Sequence, residues 1–546
     1  MRQLKDMPFA ASSTTDLLPA TPAAAPRLRV GKLCVAVQGA TPAELFSRAE
    51  SASKDSVFIE LRLDFLPKPS AALADLKAFL HRRRELTVLA TCRRKSFGGH
   101  FAGSLNSELE LLQKAAETGC HMVDLEIESA DQMTRPQMAK FRAALRAAGA
   151  ALLISSHDFT RTRRAEGLSQ TAKRIEAYEP EFVKVVTTAR CLADNLSVLR
   201  MVEDESLRFH LVGLAMGEDG LISRVFSPRE GAAFTFASAA DGAETAPGQV
   251  CARTLLDLYR LEQIDQATRI FAVAGNPIAH SLSPILHLTA FRRENLNAIL
   301  LPLRVRALDD LLTVVRDLPL DGVAVTMPLK QEVLPHLANM DPLTARIGAC
   351  NTLRTGADGK LYGFNTDVAG VVRPLEKRIR LKDARILVLG AGGAARAAVF
   401  GLVDQGCEVY IVNRTHDKAV ALARKAKAHV LRESALGKTR FDAIVNATPC
   451  GMTGVKQQLP IKESELNAGL VFDLVYTPLE TPLLKLAKAR GLAVIGGLEM
   501  FVQQGARQFE IWTGKPAPEN EMMRVVELEL RRRAAVGEIR PALQHA

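Results

Sequence analysis

Short runs of β-branched and aliphatic residues recur along this chain, each followed by a longer segment with helical spacing. That alternation restricts the fold more than any other feature, because it builds parallel strands joined by crossover helices. In the first half the runs are Leu33–Val37, Val57–Leu63, Thr87–Cys92, Met122–Glu126, Ala151–Ser155, Phe182–Thr187, His210–Ala215 and Ala233–Ala237. Eight strands alternating with helices over about 220 residues match a (β/α)8 TIM barrel. A polar loop over 239–249 and a predicted helix from Val250 to Gln263 follow. The alternation restarts at Arg269–Gly275, with runs at Ala298–Leu303 and Gly322–Thr326, a helix near 367–377 and a strand at Arg385–Leu389. A helical tail from Gly497 carries Met500, Phe501, Phe509, Ile511 and Trp512 on one face and is expected to fold back onto residues 270–370.

At 546 residues the chain is too long for one core. A hydrophobic fraction of 47% with 24% charged residues is that of a soluble globular protein. Only 5% is aromatic, which argues against stacking platforms for nucleic acid. The net charge of +11 is mostly interspersed, and the densest runs, Arg82-Arg83-Arg84 and Arg531-Arg532-Arg533, lie in predicted helices. Solvated helix faces explain those runs; steering of small anionic substrates is the functional reading. The 8 cysteines form no C-x-x-C, and several sit in apolar strands, which suggests reduced thiols and a cytoplasmic protein. No His or Cys has zinc spacing, so no metal is implied. The N-terminus lacks a signal-peptide core. Residues 8–26 share the Ala, Ser, Thr and Pro bias of plastid transit peptides, but the segment is short and Asp6 and Asp16 argue against one. The longest apolar stretch, Ile386 to Val403, contains Arg396 and several glycines, which favours a nucleotide fold over a membrane span.

Lys184 stands in Glu181-Phe182-Val183-Lys184-Val185-Val186. Alternate residues of a barrel strand point inward. Burial there disfavours an ammonium, and a neutral amine is what Schiff-base formation needs. A strand-end lysine reaching water is the plain alternative, but the neighbouring strands weigh against it. Glu60 and Arg62 share one side of the second strand, Arg93 follows the third, His157 ends Ser155-Ser156-His157-Asp158, and Arg224 follows the seventh. Barrel active sites lie at the C-terminal strand ends. Salt bridges closing the barrel mouth are the bland explanation of the same charges.

Taken together, the strand-two Glu-x-Arg, SSHD, FVKVV, ISR and APGQ segments resemble the type I 3-dehydroquinate dehydratases, across roughly residues 30–260. The resemblance implies that Lys184 forms an imine with the substrate ketone. It implies that His157 removes the adjacent proton and later protonates the departing hydroxyl, and that Arg224 grips a carboxylate. Glu60, Arg62, Arg93, Thr245 and Gln249 would line the rest of the pocket. Two positions depart from the family. Phe97 precedes Gly98-Gly99 where Glu is frequent, which removes the carboxylate expected to orient His157, and Ala36 replaces a strand-one Ser.

In the second half, Ile386-Leu387-Val388-Leu389 runs into Gly390-Ala391-Gly392-Gly393-Ala394-Ala395. Glycines permit a tight turn and close phosphate approach at a helix N-terminus. The next strand ends at Asn413-Arg414-Thr415. An NAD site offers an acidic residue there; Arg414, helped by Lys418, suits the 2′-phosphate of NADP. An FAD or other dinucleotide site is the alternative for the turn, and an ordinary loop arginine the alternative for Arg414. Upstream, His280-Ser281-Leu282-Ser283-Pro284 supplies two hydroxyls, VTMPLK presents Lys330 and GFNTD presents Asp367. A Lys–Asp pair can transfer a proton at an oxygen whose carbon gains hydride. A surface ion pair and a capping serine are the structural alternatives.

HSLSP, VTMPLK, GACNT, GFNTD, GAGGAA, NRTHDK, NATPCGM and GLEMFVQQG, in that order, closely resemble shikimate dehydrogenase over about residues 270–535. The resemblance implies Lys330 and Asp367 as the catalytic pair. It puts Ser281, Ser283, Thr326, Asn351, Asp367, Tyr476 and Gln504 at shikimate. At NADP it puts Gly390, Ala391, Gly392, Gly393, Ala394, Asn413, Arg414, Thr415, Lys418 and Gly497. Ala395 replaces the third glycine and Ala324 the usual Asn.

The two halves in this order resemble the fused dehydroquinate dehydratase–shikimate dehydrogenases, which run consecutive steps of the shikimate pathway to chorismate and the aromatic amino acids. The expected plan is a disordered extension (1–29), the barrel (30–263), a shikimate-binding domain (268–372), a Rossmann NADP-binding domain (373–496) and returning C-terminal helices (497–546). The expected partners are small molecules, not nucleic acid or a membrane. A quinate/shikimate dehydrogenase with a weak or scaffold-only dehydratase half is the competing reading. Ser281, Ser283 and Arg414 argue against its first element, Lys184 and His157 against its second.

Overall fold

The computed structural model describes residues 28, 30–207 and 209–535. The disorder expected for the extension lies outside them except at Leu28, which is buried in the barrel core. The chain divides into two compact units between Ala267 and Thr268.

The first unit holds β1 (Leu33–Val37), β2 (Phe58–Arg62), β3 (Thr87–Thr91), β4 (Met122–Glu126), β5 (Ala151–His157), β6 (Phe182–Thr188), β7 (His210–Met216) and β8 (Thr235–Ser238). Neighbours pair in sequence order and β8 returns to β1, all in parallel. Ala233 N–H donates to Leu211 O at 2.8 Å, drawing the approach to β8 against β7. One inward layer is apolar: Cys34, Phe58, Leu89, Met122, Leu153, Phe182, Val212 and Phe234 cluster together. Because side chains alternate, the inward residues two positions further on are Glu60, Thr91, Asp124, Ser155 and Lys184. The barrel is therefore plugged with hydrocarbon at one end and charged at the other.

The helix expected from Val250 to Gln263 is interrupted. A wide helical turn over Thr254–Leu258 is followed by a tight turn at Leu261–Gln263. Between them Arg260 adopts φ 52°, and the reversal buries Tyr259, Leu261 and Ile264 together.

The second unit holds two sheets. β9 (Arg269–Gly275), β10 (Ala298–Arg304), β11 (Leu320–Val325), β12 (Asn339–Met340), β13 (Thr352–Thr355) and β14 (Leu361–Phe364) run in the order β10-β9-β11-β13-β14-β12. β15 (Arg385–Leu389), β16 (Glu408–Val412), β17 (His429–Val430), β18 (Phe441–Asn446), β19 (Ala468–Asp473) and β20 (Ala493–Ile495) are all parallel, in the order β17-β16-β15-β18-β19-β20. That is the doubly wound dinucleotide order, with its switch point between β15 and β18.

The tail helix Gly497–Thr513 buries Val502, Ala506, Phe509 and Trp512, whereas Met500, Phe501 and Ile511 are only half-buried. The buried face is partly polar because it serves polar groups of β13. The Trp512 indole donates to Leu353 O at 2.8 Å, and the Gln508 amide donates to the Thr352 hydroxyl at 3.1 Å. Within the basic runs, Arg531 and Arg532 pair with Glu527 and Glu529, and Arg83 with Glu50 and Glu85.

A side chain at Gly322 would place its Cβ 2.4 Å from the Trp512 indole nitrogen. Gly322→Ala is therefore expected to cost about 1–3 kcal/mol by overpacking, read as a lower urea midpoint for the second unit.

Candidate active sites

The charged end of the barrel is a single hydrogen-bonded frame. Lys184, on β6, is buried, with Nζ donating to Asp124 Oδ2 at 3.3 Å and lying 4.0 Å from the centroid of the Phe236 ring. The amine thus lies between a buried carboxylate and an aromatic face. The Arg93 guanidinium reaches Asp124 and Glu126 at 3.0 Å each. The Ser155 hydroxyl donates to Glu126 Oε2 at 2.9 Å. Burial opposes the Asp124 charge, but Lys184 and Arg93 outweigh it and hold its carboxyl at about 2. Glu126 is pushed up to about 7, chiefly by burial.

His157 ends β5 with Nδ1 against both Glu126 oxygens, at 3.0 and 2.9 Å. Burial, with Arg93 and Lys184 nearby, keeps the imidazole well below its ordinary value, so it is neutral and able to accept a proton. The sequence left His157 without an orienting carboxylate because Phe97 replaces Glu; the structure supplies one from β4. Asp124 and Glu126 were missed. Their signal was two acids spaced by one residue inside an apolar strand, which puts both on its inward face.

Around this frame, Arg62 pairs with buried Asp64 at 2.8 Å and Glu60 accepts from Thr91 Oγ1 at 2.6 Å. The Ala36 position has a register neighbour, Ser238, whose buried hydroxyl has no protein partner. Thr245 and Gln249 line an open cleft of about 590 Å³ with Phe65 and His100, and Thr245 N–H donates to Gln249 Oε1 at 2.8 Å. Arg224 is only 2% exposed. One of its nitrogens donates to Pro247 O at 3.3 Å and Nε has no partner. No carboxylate among the described residues faces it, and burial lowers the guanidinium to about 10. A buried cation without a counter-charge is costly to the fold.

In the second unit, Lys330 follows β11 and Asp367 begins the helix Asp367–Glu376. Lys330 Nζ donates to Asp367 Oδ2 at 2.6 Å. Asn351 Nδ2 donates to Asp367 Oδ1 at 2.8 Å and to Thr366 Oγ1 at 3.0 Å, fixing the carboxylate on its other side. Ser283 N–H donates to the Ser281 hydroxyl at 3.3 Å, and Thr326 N–H to Ala274 O at 2.9 Å. Gln504 is buried and donates to Phe501 O at 2.9 Å. The Tyr476 ring lies tilted against Phe501 at 5.3 Å, and burial raises its phenol. Ala324 is buried in β11 opposite Thr352.

Gly390, with φ 114°, turns the chain out of β15, its N–H donating to Val412 O at 2.8 Å. Ala391 leads to Gly392 and Gly393, which open the helix Gly393–Asp404 ahead of Ala394. A Cβ at Gly392 or Gly393 would meet no protein atom within 4 Å. Internal packing does not require those glycines, so the turn fits a phosphate group approaching the backbone. Gly497 differs: a Cβ there would lie 2.5 Å from Leu474 O, so packing accounts for it. Beyond β16, Asn413 Nδ2 donates to Thr415 O at 2.8 Å, and Arg414 and Lys418 are exposed cations.

A lysine and a histidine framed by buried carboxylates, and a Lys–Asp pair beside a dinucleotide fold, define an enzyme of carbonyl chemistry with two active sites. The chain matches the type I 3-dehydroquinase model over residues 33–266. It matches the shikimate dehydrogenase substrate-binding domain over 273–353, shikimate/quinate 5-dehydrogenase over 374–468 and the shikimate 5′-dehydrogenase C-terminal domain over 497–527. The chloroplastic bifunctional 3-dehydroquinate dehydratase/shikimate dehydrogenase of Arabidopsis thaliana is 34% identical over 84% of this chain and 78% of its own length. The shikimate dehydrogenase (NADP(+)) of Maridesulfovibrio salexigens is 40% identical over 45% of this chain and 92% of its own. A solved shikimate 5-dehydrogenase from Thermus thermophilus, in complex with NADP(H) and shikimate, is 37% identical, with a TM-score of 0.45 over 48% of this chain and 99% of that one. The chain belongs to the family of bifunctional 3-dehydroquinate dehydratase/shikimate dehydrogenases.

Arg224→Met removes a buried cation that lacks a carboxylate partner. Its thermal midpoint, measured without ligand by calorimetry, is expected to equal or exceed that of the unaltered chain. A marked fall would show that Arg224 holds the fold together instead of awaiting an anion.

Proposed function

We propose that the barrel dehydrates 3-dehydroquinate to 3-dehydroshikimate and that the second unit reduces 3-dehydroshikimate to shikimate with NADPH. The reading is carried by two arrangements near the C-terminal ends of strands: His157 beside Lys184, and Lys330 against Asp367 at 2.6 Å.

In the barrel the Lys184 amine adds to the ketone and water leaves, giving an imine. His157 takes the proton from the adjacent carbon, and the electron pair moves into an enamine. That proton then leaves with the substrate hydroxyl as water, and hydrolysis of the imine restores Lys184. Arg224 holds the substrate carboxylate, while Glu60, Arg62, Arg93, Thr245 and Gln249 enclose the ring. In the second unit Ser281 and Ser283 bind the carboxylate, Thr326, Asn351, Tyr476 and Gln504 surround the ring, and the Lys330–Asp367 pair delivers a proton to the ketone oxygen. NADPH, when bound, supplies hydride. Gly390 to Ala394 would take its pyrophosphate, and Asn413, Arg414, Thr415 and Lys418 its 2′-phosphate end. Gly497 would border the cofactor through its backbone.

Residues 30–263 would form the dehydratase, 373–496 the NADP-binding domain, and 268–372 with 497–546 the shikimate-binding domain. No helix among the described residues is long and apolar enough to cross a membrane. Eight free cysteines, seven of them buried, support a cytoplasmic enzyme.

Dehydroquinate plus NADPH is expected to yield shikimate. Lys184→Ala should abolish dehydration and the borohydride-trapped adduct on its peptide while sparing reduction of dehydroshikimate, and Lys330→Ala should do the reverse. Loss of both reactions in either variant would overturn the assignment of separate sites. Arg414→Ala is expected to raise the KM for NADPH about 10–100-fold, the weight of one charge-assisted phosphate contact, and to leave that for NADH nearly unchanged. Equal losses with both cofactors would remove Arg414 from the 2′-phosphate site.

A further inference from the structure

We propose that Glu126 is the positioning residue for His157 in the dehydration step, in place of a carboxylate at position 97. The inference rests on the dehydratase reading above. The segment Lys95-Ser96-Phe97-Gly98-Gly99 holds no acidic residue, and the Phe97 ring lies 4.7 Å from the Arg94 guanidinium. Glu126 arrives instead from β4, in register with Ser155 of β5, two residues before His157.

The contact is made by both carboxylate oxygens, at 3.0 and 2.9 Å from Nδ1. A carboxylate there requires the proton on Nδ1 and leaves Nε2 bare, the nitrogen that must accept the substrate proton. Glu126 is itself immobilised, with Arg93 Nε at 3.0 Å and the Ser155 hydroxyl at 2.9 Å. The Phe159 ring stacks on the imidazole at 5.9 Å, limiting its rotation.

When the carbon–hydrogen bond breaks, the proton moves to Nε2, the electron pair stays with the enamine, and His157 becomes an imidazolium. Burial, Arg93, Lys184 and Arg62 all disfavour that charge, and Asp124 opposes them. A carboxylate on Nδ1 offsets the penalty at the moment it arises. Glu126 keeps its charge throughout, and the proton leaves His157 with the departing hydroxyl. Burial sets the Glu126 carboxyl at about 7, with Asp124 raising it and Arg93, Ser155 and Lys184 opposing. The working carboxylate is therefore lost as pH falls through about 7.

A Cβ on Gly98, next to position 97, would lie 2.4 Å from the Phe159 ring, which stacks on the imidazole. A carboxylate at position 97 is the expected substitute for the one on β4.

The test uses the full chain with 3-dehydroquinate. Glu126→Gln is expected to lower the dehydration kcat by about 100-fold or more with KM within about threefold. Borohydride should still trap the adduct on Lys184. The fall of kcat below about pH 7 in the unaltered enzyme should be absent from the variant. Adding Phe97→Glu to Glu126→Gln should recover about tenfold or more. A Glu126→Gln kcat within about threefold of normal overturns the proposal, as does loss of the Lys184 adduct together with kcat. No gain from Phe97→Glu overturns the claim that the two positions are interchangeable. An unaltered enzyme that fails to dehydrate 3-dehydroquinate overturns the parent reading and this proposal with it.

Discussion

A parallel strand covered on both faces has nowhere to put a charge except near its C-terminal end, where the connecting loops leave room and other polar groups converge. Both units obey this constraint. In the barrel, β2, β4 and β5 place charged or hydrogen-bonding groups two and four residues beyond the inward Phe58, Met122 and Leu153, and β6 places Lys184 two beyond Phe182. In the second unit, Lys330 follows β11, and the glycine turn follows β15 at the point where the strand order reverses. Chemistry of different kinds thus occupies equivalent places because burial leaves no other.

Within the barrel the charges survive by mutual pairing. Asp124 neutralises Lys184 and Arg93, and Arg93 bridges to Glu126, which engages His157. Removing one member would leave its neighbours buried and uncompensated, so this frame bears on local stability. Arg224 stands apart. It is as deeply buried as the others, yet among the described residues its only hydrogen-bond partner is a carbonyl.

Much of this was legible in the chain itself. The positions of Lys184, His157, Lys330 and Asp367 follow from strand alternation joined to short motifs, and the glycine turn from its place between an apolar strand and an alanine-rich helix. The strand boundaries moved by one or two residues, as at β8, because loop residues extend or forgo pairing. What stayed hidden was contact between distant segments. Nothing local says that Glu126 meets His157, a residue 31 positions away, or that the tail helix turns Gln508 inward to serve β13. The break at Arg260 was also unreadable, since it comes from tertiary burial of Tyr259 and Ile264 overriding local helical preference.

The open guanidinium of Arg224 ties the barrel's durability to its surroundings. A folded protein that binds an anion at such a point is stabilised by RT ln(1 + [L]/Kd), whereas the unfolded chain has no such site. Each tenfold rise in ligand above Kd then adds about 1.4 kcal/mol against unfolding and proteolysis. Chains with an anion at Arg224 would then outlast those without one, so the barrel's lifetime would depend on the anions around it.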